Sequence, residues 1–400
     1  MKRLNVLFVG SGGRLAGAER CLLEATSALA RGRVRPLVVV PDAGRLSVEL
    51  AARGIDVRIM ELGVLRSRTE LRSPMLILRL LQQLPAVLRL ASLIRRERID
   101  LVHSNSSAVF AGAVAALLTG RPHVWHVREM LPPRGALSAL LRWLIPRLSH
   151  RVVCISMAVK DQFGNCSPEQ QQKLRLVADG IDVDKFLRMA QAREPRPDGP
   201  PRVGMNSRIN PWKGQRTFVE AAARVRQLFP DTRLFIVGEC LEVYRPLRDE
   251  IVALSERLGL DGHLTLTDYL PYDQVARLLA SYDVFVLPSS APEPLGIVML
   301  EAMACGKPVV ATNQGGPLDV VQHGVTGLLV PPDDPAALAA AITTLLRSEE
   351  TRRAMGRAGA VRVRALFTLQ RHVAQLLEVY REVTGETSQE WSDDLFTDTG

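Results

Sequence analysis

Val284-Phe285-Val286-Leu287-Pro288-Ser289-Ser290, followed closely by Glu293-Pro294-Leu295-Gly296-Ile297-Val298-Met299-Leu300-Glu301, is the stretch on which the fold turns. Its first run reads as a buried strand that ends in a turn, and its second as the start of a helix. A strand feeding a helix is the unit from which parallel α/β sheets are built. At the join, Leu295, Gly296 and Ile297 are expected to present N–H groups without intrahelical acceptors. Such groups suit phosphate or sugar oxygens. Glu293 is expected at the mouth of this site and Glu301 about a turn deeper, so that the two carboxylates accept from different hydroxyls of one ligand. The plainer alternative is a helix-capping acid and a solvated helical charge, and other segments have to decide between them.

Upstream, Gly204-Met205-Asn206-Ser207-Arg208-Ile209-Asn210-Pro211-Trp212-Lys213-Gly214 precedes an amphipathic helix and puts two cations in one loop. Arg208 offers a planar fork and Lys213 a mobile point charge, a pair able to clamp a diphosphate and neutralise it as a leaving group. Two solvated surface cations are the alternative. The glutamate pair resembles the Glu-x7-Glu motif of retaining GT-B glycosyltransferases of the glycogen-synthase-like group, glycosyltransferase family four. Arg208, Lys213 and Gly214 also resemble that family's Arg-x4-Lys-Gly pattern. The resemblance covers the chain to about Arg381 and implies two Rossmann-like parallel-sheet domains facing across a cleft. It also assigns the diphosphate to Arg208 and Lys213, the ribose to Glu301, and sugar hydroxyls to Glu293 and the N–H groups around Leu295, Gly296 and Ile297.

Near the N-terminus the strand-like run Leu4–Val9 is followed by Gly10-Ser11-Gly12-Gly13-Arg14-Leu15-Ala16-Gly17-Ala18-Glu19. A dinucleotide fingerprint is only partly met, because Leu15 stands where its third glycine belongs and Asp42 is the sole ribose-acid candidate. The other reading is a flexible glycine loop in which Gly17 lets the backbone approach a phosphate, with Glu19 opening a helix from Arg20 to Ala30. Gly17-Ala18-Glu19 resembles a step of the same family. His126, in Val124-Trp125-His126-Val127-Arg128-Glu129, closes another apolar strand. On its own it reads as a structural histidine, but the resemblance implies that it reaches the transferred sugar. His103 is a second strand-end histidine.

A chain of 400 residues exceeds the size at which one core keeps growing, so two domains are expected. The polar, proline-rich run 190–201 is the expected linker. The domains are then 1–190 and 202–367, with a helix over 368–384 that the resemblance returns to the first domain and a disordered tail over 385–400. Residues 1–195 carry 30 Lys+Arg against 16 Asp+Glu, and the remainder 21 against 26. The basic first domain favours an anionic partner, such as a membrane surface or a lipid diphosphate. Nucleic acid is not expected, because no recognition motif appears and only 5% of residues are aromatic. Ser73-Pro74 is expected to start an amphipathic helix running to 96, kinked at Pro85, which either packs in the core or lies in a membrane interface. Arg142, Trp143, Arg147 and Arg151 form a second stretch with the same two readings. Five scattered cysteines show no zinc or redox spacing, and no apolar signal segment follows Met1-Lys2-Arg3, so a cytoplasmic protein with reduced thiols is expected, with peripheral attachment to the inner membrane face as the alternative.

The resemblance implies a retaining glycosyltransferase that moves a hexose or related sugar from a UDP- or GDP-sugar to a hydroxyl of a glycan or lipid-linked acceptor. No cofactor is expected, and no metal, since the sequence holds no clustered Asp/His set and Arg208 with Lys213 can supply the charge. Retaining hydrolases use a carboxylate nucleophile. The family view is instead same-face attack, with the leaving phosphate taking the acceptor's proton, so no protein nucleophile is named. Alternatives are a nucleotide-sugar epimerase or phosphorylase on the same fold, and a non-catalytic binding protein. Three departures from the family pattern stand out: Leu295 for a common Phe, Asp179 for a usual Asn, and Cys240 for a frequent Gly. Tyr269-Leu270-Pro271-Tyr272 is expected to lie near the base.

Overall fold

The computed structural model describes residues 3–64, 83–190 and 199–385. It divides into two compact units, one formed by residues up to Asp179 together with those from Leu369, the other by Gly180–Thr368.

The first unit is built on seven strands: β1 Leu4–Val9, β2 Val34–Val40, β3 Asp56–Ile59, β4 Leu101–Ser104, β5 His123–Val127, β6 Arg151–Cys154 and β7 Leu174–Leu176. They are parallel in the order β3-β2-β1-β4-β5-β6-β7. Burial on both faces explains why β1 and β2 are almost continuously apolar. Alternate residues serve opposite sides: Val6, Phe8, Val38 and Val40 pack with the helices Gly17–Arg31 and Leu369–Thr384, whereas Leu7, Val9, Leu37 and Val39 pack with Leu84–Arg96 and Ala111–Thr119.

The second unit has six parallel strands: β8 Arg202–Asn206, β9 Arg233–Val237, β10 Leu264–Thr267, β11 Val284–Leu287, β12 Val309–Thr312 and β13 Gly327–Val330. Their order is β10-β9-β8-β11-β12-β13. In both sheets the first strand in sequence lies between its second and fourth, so the direction of winding reverses beside it. In open α/β sheets ligands bind at the carboxyl ends of the strands flanking such a reversal.

Several expectations are corrected. The units part at 179/180 rather than at 190–201, because the helix Val183–Ala190 buries Phe186 and Ala190 against Ala276 of the second unit. Residues 191–198, most of the expected linker, lie outside the described residues, as do 65–82 and 386–400. Pro85 does not kink a helix. It sits in the first turn of Leu84–Arg96, where its missing N–H costs no hydrogen bond. The N-terminal helix starts at Gly17, not Arg20, because the Arg20 N–H already donates to Ala16 O at 2.8 Å.

Candidate functional site

The second unit assembles its site from two loops that leave β8 and β11 at the point where the winding reverses. The β8 loop is fastened to the end of β9 by Ser207 N–H to Val237 O (2.8 Å) and Ile209 N–H to Glu239 O (3.1 Å). It is fastened to the β11 loop by Ser290 N–H to Trp212 O, 2.9 Å. Gly214 then caps the helix Gln215–Leu228 at φ 75°. A Cβ there would lie 1.8 Å from Pro288 O, so only glycine permits the two loops to meet.

These constraints deliver Lys213 to Glu293. The Lys213 ammonium donates to both carboxylate oxygens at 2.9 and 2.7 Å and lies 4.0 Å from the centre of the Trp212 ring. Ser289 Oγ donates to Glu293 Oε2 at 3.0 Å. Glu293 is therefore not at an open mouth, as its sequence position suggested: it is 6% exposed and ion-paired. Burying a carboxylate under two loops is tolerable where it gathers such donors. Arg208 shares the loop but remains exposed, and no described residue holds its side chain.

Beyond Glu293 the helix Ile297–Ala304 begins behind Gly296. The Leu295, Gly296 and Ile297 N–H groups donate to no backbone carbonyl of the described residues. Glu301 is 5% exposed and accepts from Tyr272 Oη at 2.5 Å. That contact ties the Tyr269–Tyr272 segment to the second glutamate.

Sequence reasoning missed the loop after β12. Gly316 N–H donates to Glu293 O at 2.7 Å, Gln314 Nε2 to Ser289 O at 2.9 Å, and Thr312 Oγ1 to the same carbonyl at 3.0 Å. Gly315 and Gly316 press so closely on 292–295 that any side chain would collide with that backbone. The Gly315-Gly316-Pro317 triplet was a visible turn signal, but nothing in it named its partner.

Gly17 and His126 belong to the first unit. Gly17 is exposed as the first residue of its helix. His126 is 1% exposed at the end of β5, its Nδ1 3.2 Å from His103 Nε2, and its own Nε2 has no hydrogen-bond partner. His103 Nδ1 in turn meets Tyr380 Oη at 2.8 Å, and the His372 ring lies 5.9 Å from that of His126. Burial, reinforced by Arg128 and the neighbouring imidazoles, holds His126 and His103 well below the usual histidine range, so both are neutral at pH 7. Beside them Arg128 Nη1 donates to both oxygens of Asp179 at 2.6 Å, and Arg128 Nε to Asn105 Oδ1 at 2.9 Å. In this pair the Asp179 carboxylate balances the charge of a buried guanidinium. Asp42, the ribose-acid candidate, accepts the Gly13 N–H and so closes the glycine loop. The five cysteines are all free.

Residues 188–362 match the family described as "Glycosyl transferases group 1", and residues 15–185 match "Glycosyltransferase Family 4". The alpha-maltose-1-phosphate synthase of Mycolicibacterium smegmatis is 31% identical over 319 residues, 72% of this chain and 80% of the relative. The chain belongs to glycosyltransferase family 4. A second member, the 2-deoxystreptamine N-acetyl-D-glucosaminyltransferase of Streptomyces fradiae, is 30% identical over 86% of this chain and 90% of its own. Among solved structures, the Anabaena protein HepE in complex with UDP and glucose superposes with a TM-score of 0.79 at 25% identity, over 94% of this chain and 99% of that one. The two parallel-sheet Rossmann-like units are thus those of a GT-B glycosyltransferase.

Proposed function

We propose that this family 4 glycosyltransferase moves a hexose or related sugar, with retention, from a UDP- or GDP-sugar to a hydroxyl of a glycan or lipid-linked acceptor. The observation that carries the reading is the Lys213–Glu293 pair at the winding reversal of the second sheet, beside helix N–H groups left without backbone acceptors. A diphosphate brought there would compete with Glu293 for the Lys213 ammonium, with Arg208 adding its fork, and would free a carboxylate to accept sugar hydroxyls. Glu301 is assigned the ribose and Tyr272 the orientation of that carboxylate. Leu295, Gly296 and Ile297 act through their N–H groups, so the absent aromatic at 295 bears on donor-sugar preference. Gly17 and His126 keep the roles that the resemblance gives them, near phosphate and sugar respectively. The leaving phosphate takes the acceptor proton, and no side chain serves as nucleophile. No cofactor or metal enters this reading, since Lys213 and Arg208 carry the charge.

HepE is known in complexes with UDP, with UDP and glucose, and with UDP-glucose, which supports a nucleotide-sugar donor. A place in cell-surface polysaccharide or glycolipid synthesis, at the cytoplasmic face of a membrane, fits the basic first unit. Among the described residues no helix is long and apolar enough to cross a bilayer. The test is a thermal-shift panel of UDP- and GDP-sugars, because a ligand that binds only the native state raises the melting point. It is followed by product analysis with the stabilising donor. Glycoside formation with the donor's anomeric configuration, abolished in Lys213→Ala, is expected. An epimerised donor, or binding with no product, would replace the reading by one of its rivals.

A further inference from the structure

We propose that the outer face of one helical layer of the first unit docks the protein onto an anionic lipid bilayer. This deepens the membrane part of the proposed function and rests on it. Right-handed crossovers put the helices Leu84–Arg96, Ala111–Thr119 and Ala136–Leu148 on one side of the sheet, because β3 to β4, β4 to β5 and β5 to β6 all advance in the same direction. The helices after β1 and β2 run the other way and cover the opposite side.

The first layer is unlike an ordinary solvent face. Those three helices contain no aspartate or glutamate, and between Glu97 and Asp161 the only carboxylates are Asp100 and Glu129. The short helices after β6, Met157–Asp161 and Pro168–Gln171, follow on the same side and bring the exposed Asp161 and Glu169 only at its edge. The exposed large apolar residues of those three helices are Leu84, Leu88, Leu117, Leu118 and Trp143, each more than half exposed. Arg89, Arg96, Arg121 and Arg147 stand exposed among them, and none is ion-paired to a described residue. Arg147 lies 4.1 Å over the Trp143 ring, an amphipathic pair suited to the headgroup level. The opposite layer is conventional: Glu24, Glu49, Glu378 and Glu382 are interspersed with its bases, and Val48 is its one exposed large apolar residue among those described. A surface bearing leucines and a tryptophan between unpaired arginines matches acyl boundary and anionic headgroup together. A nucleic acid would use the arginines and leave the leucines in water.

The experiment is co-sedimentation of the full chain with vesicles of phosphatidylcholine alone or with one third phosphatidylglycerol, at low and high salt. Binding to the anionic vesicles is expected, weakened by salt through screening. Arg89→Gln, Arg96→Gln and Arg121→Gln should each lower the partition about fivefold, as expected for a cation at an anionic leaflet. Leu88→Ser with Leu117→Ser should also weaken it but keep its salt dependence, while Val243→Ser with Val361→Ser, exposed positions of the second unit, should change nothing. Absence of partition, equal partition onto neutral vesicles, or binding indifferent to both sets of variants would overturn the proposal. Donor-induced thermal shifts and transfer to a soluble acceptor are measured on the same variants. Lost vesicle binding with transfer retained refutes only the docking surface, whereas lost transfer in the parent chain refutes the functional reading.

Discussion

At the scale of single residues, the site depends on a charge pair whose members have few other partners. Removing Lys213 leaves a buried carboxylate with Ser289 Oγ as its remaining side-chain donor. Stripping one partner from a buried pair costs about 3–5 kcal/mol, and because the Lys213 side chain is 16% exposed the lower end applies. Lys213→Met should therefore lower unfolding free energy by about 3 kcal/mol, and adding Glu293→Gln should recover most of that loss. Transfer should remain abolished in the double variant. Urea titration with a product assay separates the two effects, and a double variant that regained turnover would remove both residues from the mechanism. Arg208, which no described residue holds, should lose turnover on replacement by alanine with little change in stability.

At the scale of elements, the end of β5 is clamped to the segment that leaves the first unit. Arg128 follows β5 directly, Asp179 is the unit's last residue before the crossing, and the side chains of both are less than a tenth exposed. Asp179→Ala would strand a buried guanidinium, with an expected loss of about 3–5 kcal/mol. Asp179→Asn keeps an acceptor for Arg128 and should cost clearly less. Comparing urea midpoints of the two variants checks this, and equal losses would show that Arg128 requires the carboxylate charge and not merely an acceptor.

At the scale of the whole molecule, buried histidines couple stability to acidity. His103, His126 and His123 are all pushed down, the first two well below their ordinary value and His123 to about 3, in each case chiefly by burial. A neutral histidine in the fold and a protonatable one in the unfolded chain mean that the unfolded state binds more protons below pH 6.5. Stability from these groups is therefore complete above about pH 6.5 and is lost as pH falls below it. The slope is about 1.4 kcal/mol per pH unit for each histidine, or about 4 for the three together. Urea unfolding at pH 7.5, 6.5 and 5.5 should show little change over the first interval and a steep loss over the second. A flat profile down to pH 5.5 would contradict the buried neutral cluster.

What the linear order of residues determined here is local. Val284–Leu287 running into a turn and then a helix fixed a parallel α/β architecture, because burial on both faces demands continuous apolar strands. The Arg208–Gly214 and Glu293–Glu301 spacings marked the two loops that matter, because cations and carboxylates clustered at strand ends have few structural uses. What only the tertiary structure decided is which of these groups meet. Lys213 and Glu293 are 80 positions apart, Tyr272 and Glu301 are 29, and His103 and Tyr380 are 277. The unit boundary likewise escaped the proline-rich signal, since a helix is assigned to whichever core buries its apolar face. Periodicity encodes that a face will be buried, while strand order and crossover hand decide against what.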